Sequence, residues 1–296
     1  MRIAVTGCLG QVVSALRERA AKTGHEVIAL GRPMLDLLAP ATVLPALKTA
    51  MPDVVVSAAA YTAVDQAEID APLAHATNTA GAEIVAWAAR HLGVPLIHLS
   101  TDYVFDGSLD RPYMETDQPS PMGTYGASKL AGEHAVLAVH GANAAILRTA
   151  WIYSPFGRNF VKTMLMLAKD HDEISIVSDQ LGNPTSALDI ADGIITVALN
   201  LINNKDPLLR GVFHIAALGD ASWADLALAV FRTSAMLGAS SVRVNRITST
   251  DRPALASRPA NSRLNCELIS NRHGVILPNW HDSLETVVRR LSAVTV

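Results

Sequence analysis

A chain of 296 residues, half of them hydrophobic and 17% charged, is long enough for one large domain or two fused lobes and too apolar for extensive disorder. Its formal net charge of −3, with an isoelectric point near 6.4, offers no basic surface for nucleic acid or an anionic membrane. Two cysteines, Cys8 and Cys266, are too few for a disulfide framework and read as reduced thiols of a cytoplasmic protein.

The chain opens on Met1-Arg2-Ile3-Ala4-Val5 and meets Gly7 too early for a signal-peptide core. The apolar run 54–60 falls well short of a bilayer span, so a soluble protein is expected. Residues 3–5 predict a buried strand, 11–22 a helix, 27–30 a strand, 41–50 a helix and 54–57 a third strand. Residues 73–92 predict a long helix ending near Gly93, 95–99 a strand, 129–139 a helix and 144–147 a strand. Short apolar runs without alternation suit strands buried on both faces. Their alternation with helices predicts parallel crossovers, hence an α/β fold with a Rossmann-type doubly wound parallel sheet.

The second half is less regular. Strands are expected at 174–177 and 212–215, and helices at 187–201, 223–237 and 283–291, with loops at 203–207 and 249–262. The expected organisation is a nucleotide-binding lobe of residues 1–150, with 185–215 contributing. A smaller C-terminal α/β lobe, from 151–184 and 216–296, closes over a cleft.

The first strand runs into Thr6-Gly7-Cys8-Leu9-Gly10-Gln11-Val12-Val13 and then a helix. Glycine permits the tight turn and lets backbone N–H groups approach a pyrophosphate at the helix N-terminus. The turn fits the pattern Thr-Gly-x-x-Gly-x-x-Gly except at its last position, where Val13 implies a slightly displaced helix. At the end of the second strand an acidic residue would bind the ribose of NAD, whereas arginine accommodates the 2′-phosphate of NADP. Arg32 stands there and favours NADPH, with NADH as the second candidate; Asp36 and Leu37 are adenine-side candidates.

Tyr125-Gly126-Ala127-Ser128-Lys129 places a phenol and an ammonium four residues apart, on one face if helical. Reducing a ketone creates an alkoxide that must be protonated, and a nearby Lys⁺ is expected to lower the phenol's pKa toward that task. The fourth strand ends in Leu99-Ser100-Thr101-Asp102-Tyr103, which puts the Thr101 hydroxyl at the ligand-binding edge of the sheet.

These segments, with Ala59-Ala60-Tyr61-Thr62-Ala63-Val64-Asp65, Arg148-Thr149-Ala150-Trp151-Ile152-Tyr153, Asp179-Gln180-Leu181-Gly182-Asn183-Pro184-Thr185 and Arg258-Pro259-Ala260-Asn261-Ser262-Arg263-Leu264, run almost the length of the chain. In that order they resemble the dTDP-4-dehydrorhamnose reductase family of extended short-chain dehydrogenases/reductases. The resemblance implies reduction of a dTDP-4-keto-6-deoxysugar by NADPH. It implies Tyr125 as proton donor, Lys129 on the nicotinamide ribose, and Thr101 polarising the carbonyl. It also implies Gly7, Gly10, Gln11 and Val12 along the pyrophosphate, and Ala60, Tyr61 and Thr62 beside the cofactor. Thr101, Asp102 and Trp151 would contact the sugar nucleotide, although Trp151 reads equally well as a core aromatic. Arg258 and Arg263 are candidates for the substrate diphosphate, with interlobe or surface salt bridges the alternative.

The ten histidines show no metal-ligand spacing, so no catalytic metal is expected, and the protein is expected as monomer or homodimer. Two other readings remain. One is a dehydratase or epimerase of the same superfamily; Tyr103 argues against the dehydratase, since dehydratases typically place an acidic residue directly after this Thr-Asp. A non-catalytic subunit, like the regulatory subunit of methionine adenosyltransferase, is disfavoured by the intact Thr101, Tyr125 and Lys129.

Overall fold

Six strands form one parallel sheet: β1 (Arg2–Thr6), β2 (Glu26–Leu30), β3 (Val54–Ser57), β4 (Leu96–Thr101), β5 (Ala144–Thr149) and β6 (Gly211–His214). Their spatial order is β6-β5-β4-β3-β1-β2 in a computed structural model that describes residues 1–239 and 241–293. Every residue of β3, β4 and β5 is buried, which explains why these runs lack polar alternation. From β1 the chain steps to β2 on one side and then crosses to β3 on the other. A crevice therefore opens at the carboxyl ends of β1 and β3, where such sheets bind ligands. The Thr6 hydroxyl ties those two ends together, accepting the N–H groups of Ala58 and Ala59 at 3.0 Å each.

Helices α1 (Gln11–Lys22) and α5 (Ala187–Asn203) pack on each other and cover one face; α2 (Val43–Ala50), α3 (Gly81–Leu92) and α4 (Thr124–His140) cover the other. Two of these differ from expectation in ways that shape the site. The predicted helix 73–92 forms as Ala71–His75, a π-helical turn over Ala76–Ala80, and then α3. That wide turn pushes Asn78 inward, and its carbonyl lies where a Cβ at position 132 would stand, so only glycine fits there. Helix α4 begins five residues before the predicted 129 because Glu68 caps it from outside. The Glu68 carboxylate accepts the Thr124 N–H at 2.8 Å and its hydroxyl at 3.1 Å.

Beyond β5, helices Phe160–Leu167 and Trp280–Ala293 pack against Trp223–Met236. Strand Arg243–Ile247 pairs in parallel with Glu173–Val177. The helices at 160–167 and 267–273 and the strand at 243–247 were not expected from the sequence, and the last helix starts at Trp280 rather than 283. Among the described residues no helix is long and apolar enough to cross a membrane.

Candidate active site

The crevice is a cleft of about 620 Å³ running from the glycine turn past the ends of β4 and β5 to Trp223. Its floor is built for a diphosphate. Gly7 sits at φ +97°, a conformation that side chains other than glycine rarely adopt, and its N–H donates to the Leu30 carbonyl at 2.6 Å. Gly10 caps α1 with no side-chain hydrogen bond, and the first turn carries no acidic residue, so its backbone N–H groups are open to an anion. Val13 tucks beneath this turn, its Cγ2 3.7 Å from where a Cβ on Gly7 would lie. Gly10, Gln11 and Val12 line the cleft. The Gln11 amide also joins the lobes, accepting the Ser154 hydroxyl at 2.7 Å and the Asn159 amide at 3.1 Å.

Around the second strand the expected residues are spread out. Arg32 is exposed just past β2 and makes no hydrogen bond or ion pair with any described residue. The Asp36 carboxylate accepts the Leu38 N–H at 3.0 Å, and Leu37 is buried against Gly81 of α3. None of the three borders the cleft. Ala60 and Thr62 do, while the Tyr61 backbone between them is gripped by Asn78, which accepts its N–H at 2.8 Å and donates to its carbonyl at 3.1 Å. Asn78 also donates to Ser128 at 3.0 Å, and Ser128 donates to the Tyr125 carbonyl at 2.9 Å. One buried amide therefore sets the loop after β3 against the first turn of α4. The sequence carried little signal for it, since Asn78 stands between Thr77 and Thr79 and its burial shows only in the fold.

Thr101, Tyr125 and Lys129 converge on the cleft. The Thr101 hydroxyl donates to Asp102 at 2.9 Å and accepts the Tyr103 N–H at 3.2 Å. Lys129 corrects one expectation. Its Nζ makes no hydrogen bond to the phenol and turns back into the sheet, donating to the Leu99 carbonyl at 2.6 Å and lying 3.4 Å from His98 Nε2. Burial raises the Tyr125 phenol above its ordinary value. The Thr101 hydroxyl only partly offsets this, and Asp102 and Tyr103 add to the rise. Tyr125 is thus a protonated phenol at neutral pH. Burial brings Lys129 down to about 8 against the opposing pull of Glu133, and pushes the Asp102 carboxyl up to about 6 against hydroxyls from Ser262 and Thr101.

Behind these groups Glu133 takes a forked ion pair from Arg148, with contacts at 2.7 and 2.9 Å, and the Ser100 hydroxyl donates to the same carboxylate. Their side chains are 1% and 4% exposed, and the pair fastens α4 to β5.

Trp151 adopts φ +46°, stacks on Trp223 and donates its indole N–H to Ser262 at 3.1 Å. Trp223 and Phe160 also wall a second cavity of about 680 Å³, bordered by Asp65 and Arg258. The Arg258 guanidinium is held by Asp65 at 2.8 Å, the salt bridge between distant segments that stood as the alternative. Arg263 pairs with Asp220 at 3.1 Å and lines neither cavity. Asn159, Phe160 and Trp223 are cleft residues that sequence reasoning missed; the N-cap Asn159, which accepts the Lys162 N–H at 3.1 Å, was the available clue. Among the described residues no cluster of His, Cys, Asp or Glu has the makings of a metal site.

A family model described as the RmlD substrate binding domain matches residues 1–293. The dTDP-4-dehydrorhamnose reductase of Sinorhizobium fredii is 46% identical over 288 residues, covering 97% of each chain. The structure of a dTDP-4-dehydrorhamnose reductase from Clostridium acetobutylicum superposes with a TM-score of 0.90 at 36% identity, over 99% of this chain and 100% of that one. The Bacillus anthracis dTDP-4-dehydrorhamnose reductase, solved in complex with NADP, gives a TM-score of 0.89 at 34% identity, over 98% and 99%.

Proposed function

The chain belongs to the dTDP-4-dehydrorhamnose reductase family, and from that premise we propose how its cleft works. The protein is an NAD(P)H-dependent oxidoreductase of dTDP-rhamnose biosynthesis. It reduces the 4-keto group of dTDP-6-deoxy-L-lyxo-4-hexulose to give dTDP-L-rhamnose.

A reduced nicotinamide, when bound, supplies the hydride. The chain's own residues do the rest. Gly7, Gly10 and the N–H groups of Gln11 and Val12 hold the pyrophosphate, while Ala60, Tyr61 and Thr62 flank the cofactor. Arg32, exposed and unpaired among the described residues, supports NADPH over NADH, as does the NADP bound to the Bacillus anthracis relative. Asp36 and Leu37 shape the adenine side through the turn they stabilise.

An ammonium carries three protons, and two of those on Lys129 face Leu99 and His98, which leaves one for the nicotinamide ribose. Tyr125 gives its phenolic proton to the alkoxide that forms at the sugar O4, and Thr101 hydrogen-bonds that oxygen by turning its hydroxyl away from Asp102. Asp102 and Trp151 contact the deoxysugar. The nucleotide extends past Trp223 and Phe160 into the second cavity, where Arg258 exchanges Asp65 for the diphosphate. On this reading residues 1–150 and 185–215 carry the cofactor, and 151–184 with 216–296 carry the sugar nucleotide.

The observation that carries the proposal is the convergence of Thr101, the protonated Tyr125 and Lys129 on one cleft above an uncapped, glycine-turned helix. The test follows NADPH absorbance with and without the dTDP-4-keto sugar. Loss that depends on the sugar supports it. NADPH binding without turnover on any member of a panel of keto sugars would transfer support to a non-catalytic subunit.

A further inference from the structure

Histidine 98 is an odd occupant of the central strand, where its neighbours are Leu96, Ile97 and Leu99 and every residue is buried. An unpartnered imidazole there would be costly. It has two partners. Its Nδ1 lies 3.1 Å from the Ser57 hydroxyl, which stands directly across from it in the β3–β4 register. Its Nε2 lies 3.4 Å from Lys129 Nζ.

The partners fix the tautomer. An ammonium only donates, so Nε2 must be the accepting nitrogen and the ring proton must sit on Nδ1, donated to Ser57. A protonated ring would offer no lone pair and would set two cations in contact. Burial, followed by the Lys129 charge, holds His98 well below its ordinary pKa, in agreement with a neutral ring.

We propose that His98, backed by Ser57, is a positioning residue for Lys129: a neutral imidazole that accepts one ammonium proton and so aims another at the cleft. The proposal rests on the reading of Lys129 given above. The Leu99 carbonyl cannot do this alone, because a single acceptor leaves the amine free to pivot about one bond. The imidazole is a second fixed point, and two fixed points define a direction.

A hydrogen bond accepted from the ammonium also favours the charged form of Lys129. The other groups that bear on its titration are few. Glu133 stands one turn along α4, with its charge balanced by Arg148 of β5; Tyr125 and Asp102 lie on the cleft side. Since burial already brings the ammonium down to about 8, loss of the His98 acceptor moves its titration further toward neutrality.

The test compares His98→Leu, His98→Asn and His98→Gln with Ser57→Ala. Glutamine sets an oxygen near the place of Nε2, whereas asparagine reaches only the place of Nδ1. Lys129 is titrated by NMR on isotopically labelled lysine in the cofactor-free protein, alongside NADPH affinity and steady-state kinetics. In the leucine and asparagine variants the Lys129 titration should move to lower pH, and kcat should fall by up to about 100-fold, the cost of a misplacement of order 1 Å. KM for the keto sugar should stay within about twofold. Glutamine should restore both titration and rate, and Ser57→Ala, which only frees the tautomer, should fall between.

A leucine variant with unchanged Lys129 titration and kcat would overturn the proposal. So would an equal loss in all three His98 variants that simply tracks their melting temperatures. Should the wild type fail to turn over the keto sugar, the reaction assigned above falls, while the lysine titration still decides the role of His98.

Discussion

The indoles of Trp151 and Trp223 lie face to face, their centroids 3.6 Å apart and their planes 6° from parallel. Gly182 closes on Trp151 as well, since any Cβ there would collide with the indole. Trp151 therefore cannot lay the face that Trp223 covers on a substrate. It meets the cleft as the end of a fixed aromatic stack, with its N–H held by Ser262.

Trp151→Phe removes that N–H and thins the stack, which should cost about 1–2 kcal/mol of stability. As a substrate contact it should also raise KM for the dTDP-keto sugar while leaving NADPH affinity unchanged. Thermal melts and kinetics on the same variant decide it; a lower melting temperature with unchanged KM removes Trp151 from the substrate site.

Much of the sheet was legible because β3, β4 and β5 are short, apolar and buried on both faces, a pattern few other structures produce. The start of α4 was not, since Thr124-Tyr125-Gly126 carries no apolar periodicity and its cap, Glu68, is remote in sequence. The strand at 243–247 escaped because it pairs with a single neighbour and none of its residues is fully buried. For the site, sequence spacing named Tyr125 and Lys129 together but not the direction of the amine. That direction depends on His98 and the Leu99 carbonyl, thirty residues away across α4 and β4. The Asp65–Arg258 pair, spanning 193 positions, had no local signature at all.

Asp102 gives a stability prediction with a definite sign. Its carboxyl is raised by burial to about 6 in the folded protein, above its unfolded value near 3.9. Between those values the folded state binds more protons than the unfolded state, so this group makes stability fall as pH rises through that window and then level off. Asp102→Asn should therefore gain up to about 3 kcal/mol at pH 7 and nothing near pH 3. Denaturant titrations at the two pH values check it. Equal effects at both would show that the ionised carboxylate is already compensated.

Arg32 offers the sharpest cofactor test, because its guanidinium has no partner to lose among the described residues. Arg32→Ala should weaken NADPH by roughly 10- to 100-fold, the range of one charge-assisted hydrogen bond, with NADH nearly unaffected. Cofactor fluorescence titrations would read both. Equal losses for the two cofactors would mean that Arg32 does not read the 2′-phosphate.

On the mechanism proposed above, a half-buried, protonated Tyr125 delivers the proton that completes reduction of the keto sugar. The most direct measurement is single-turnover oxidation of NADPH by the dTDP-4-keto sugar in wild type and Tyr125→Phe, with NADPH affinity measured on both. The ring stays and only the hydroxyl is lost, so cofactor affinity should be nearly the same in the two. The rate in the variant should be lower by roughly 10²–10⁴-fold, the usual contribution of a positioned general acid. A phenylalanine variant that reduces the sugar at close to the wild-type rate would contradict the account.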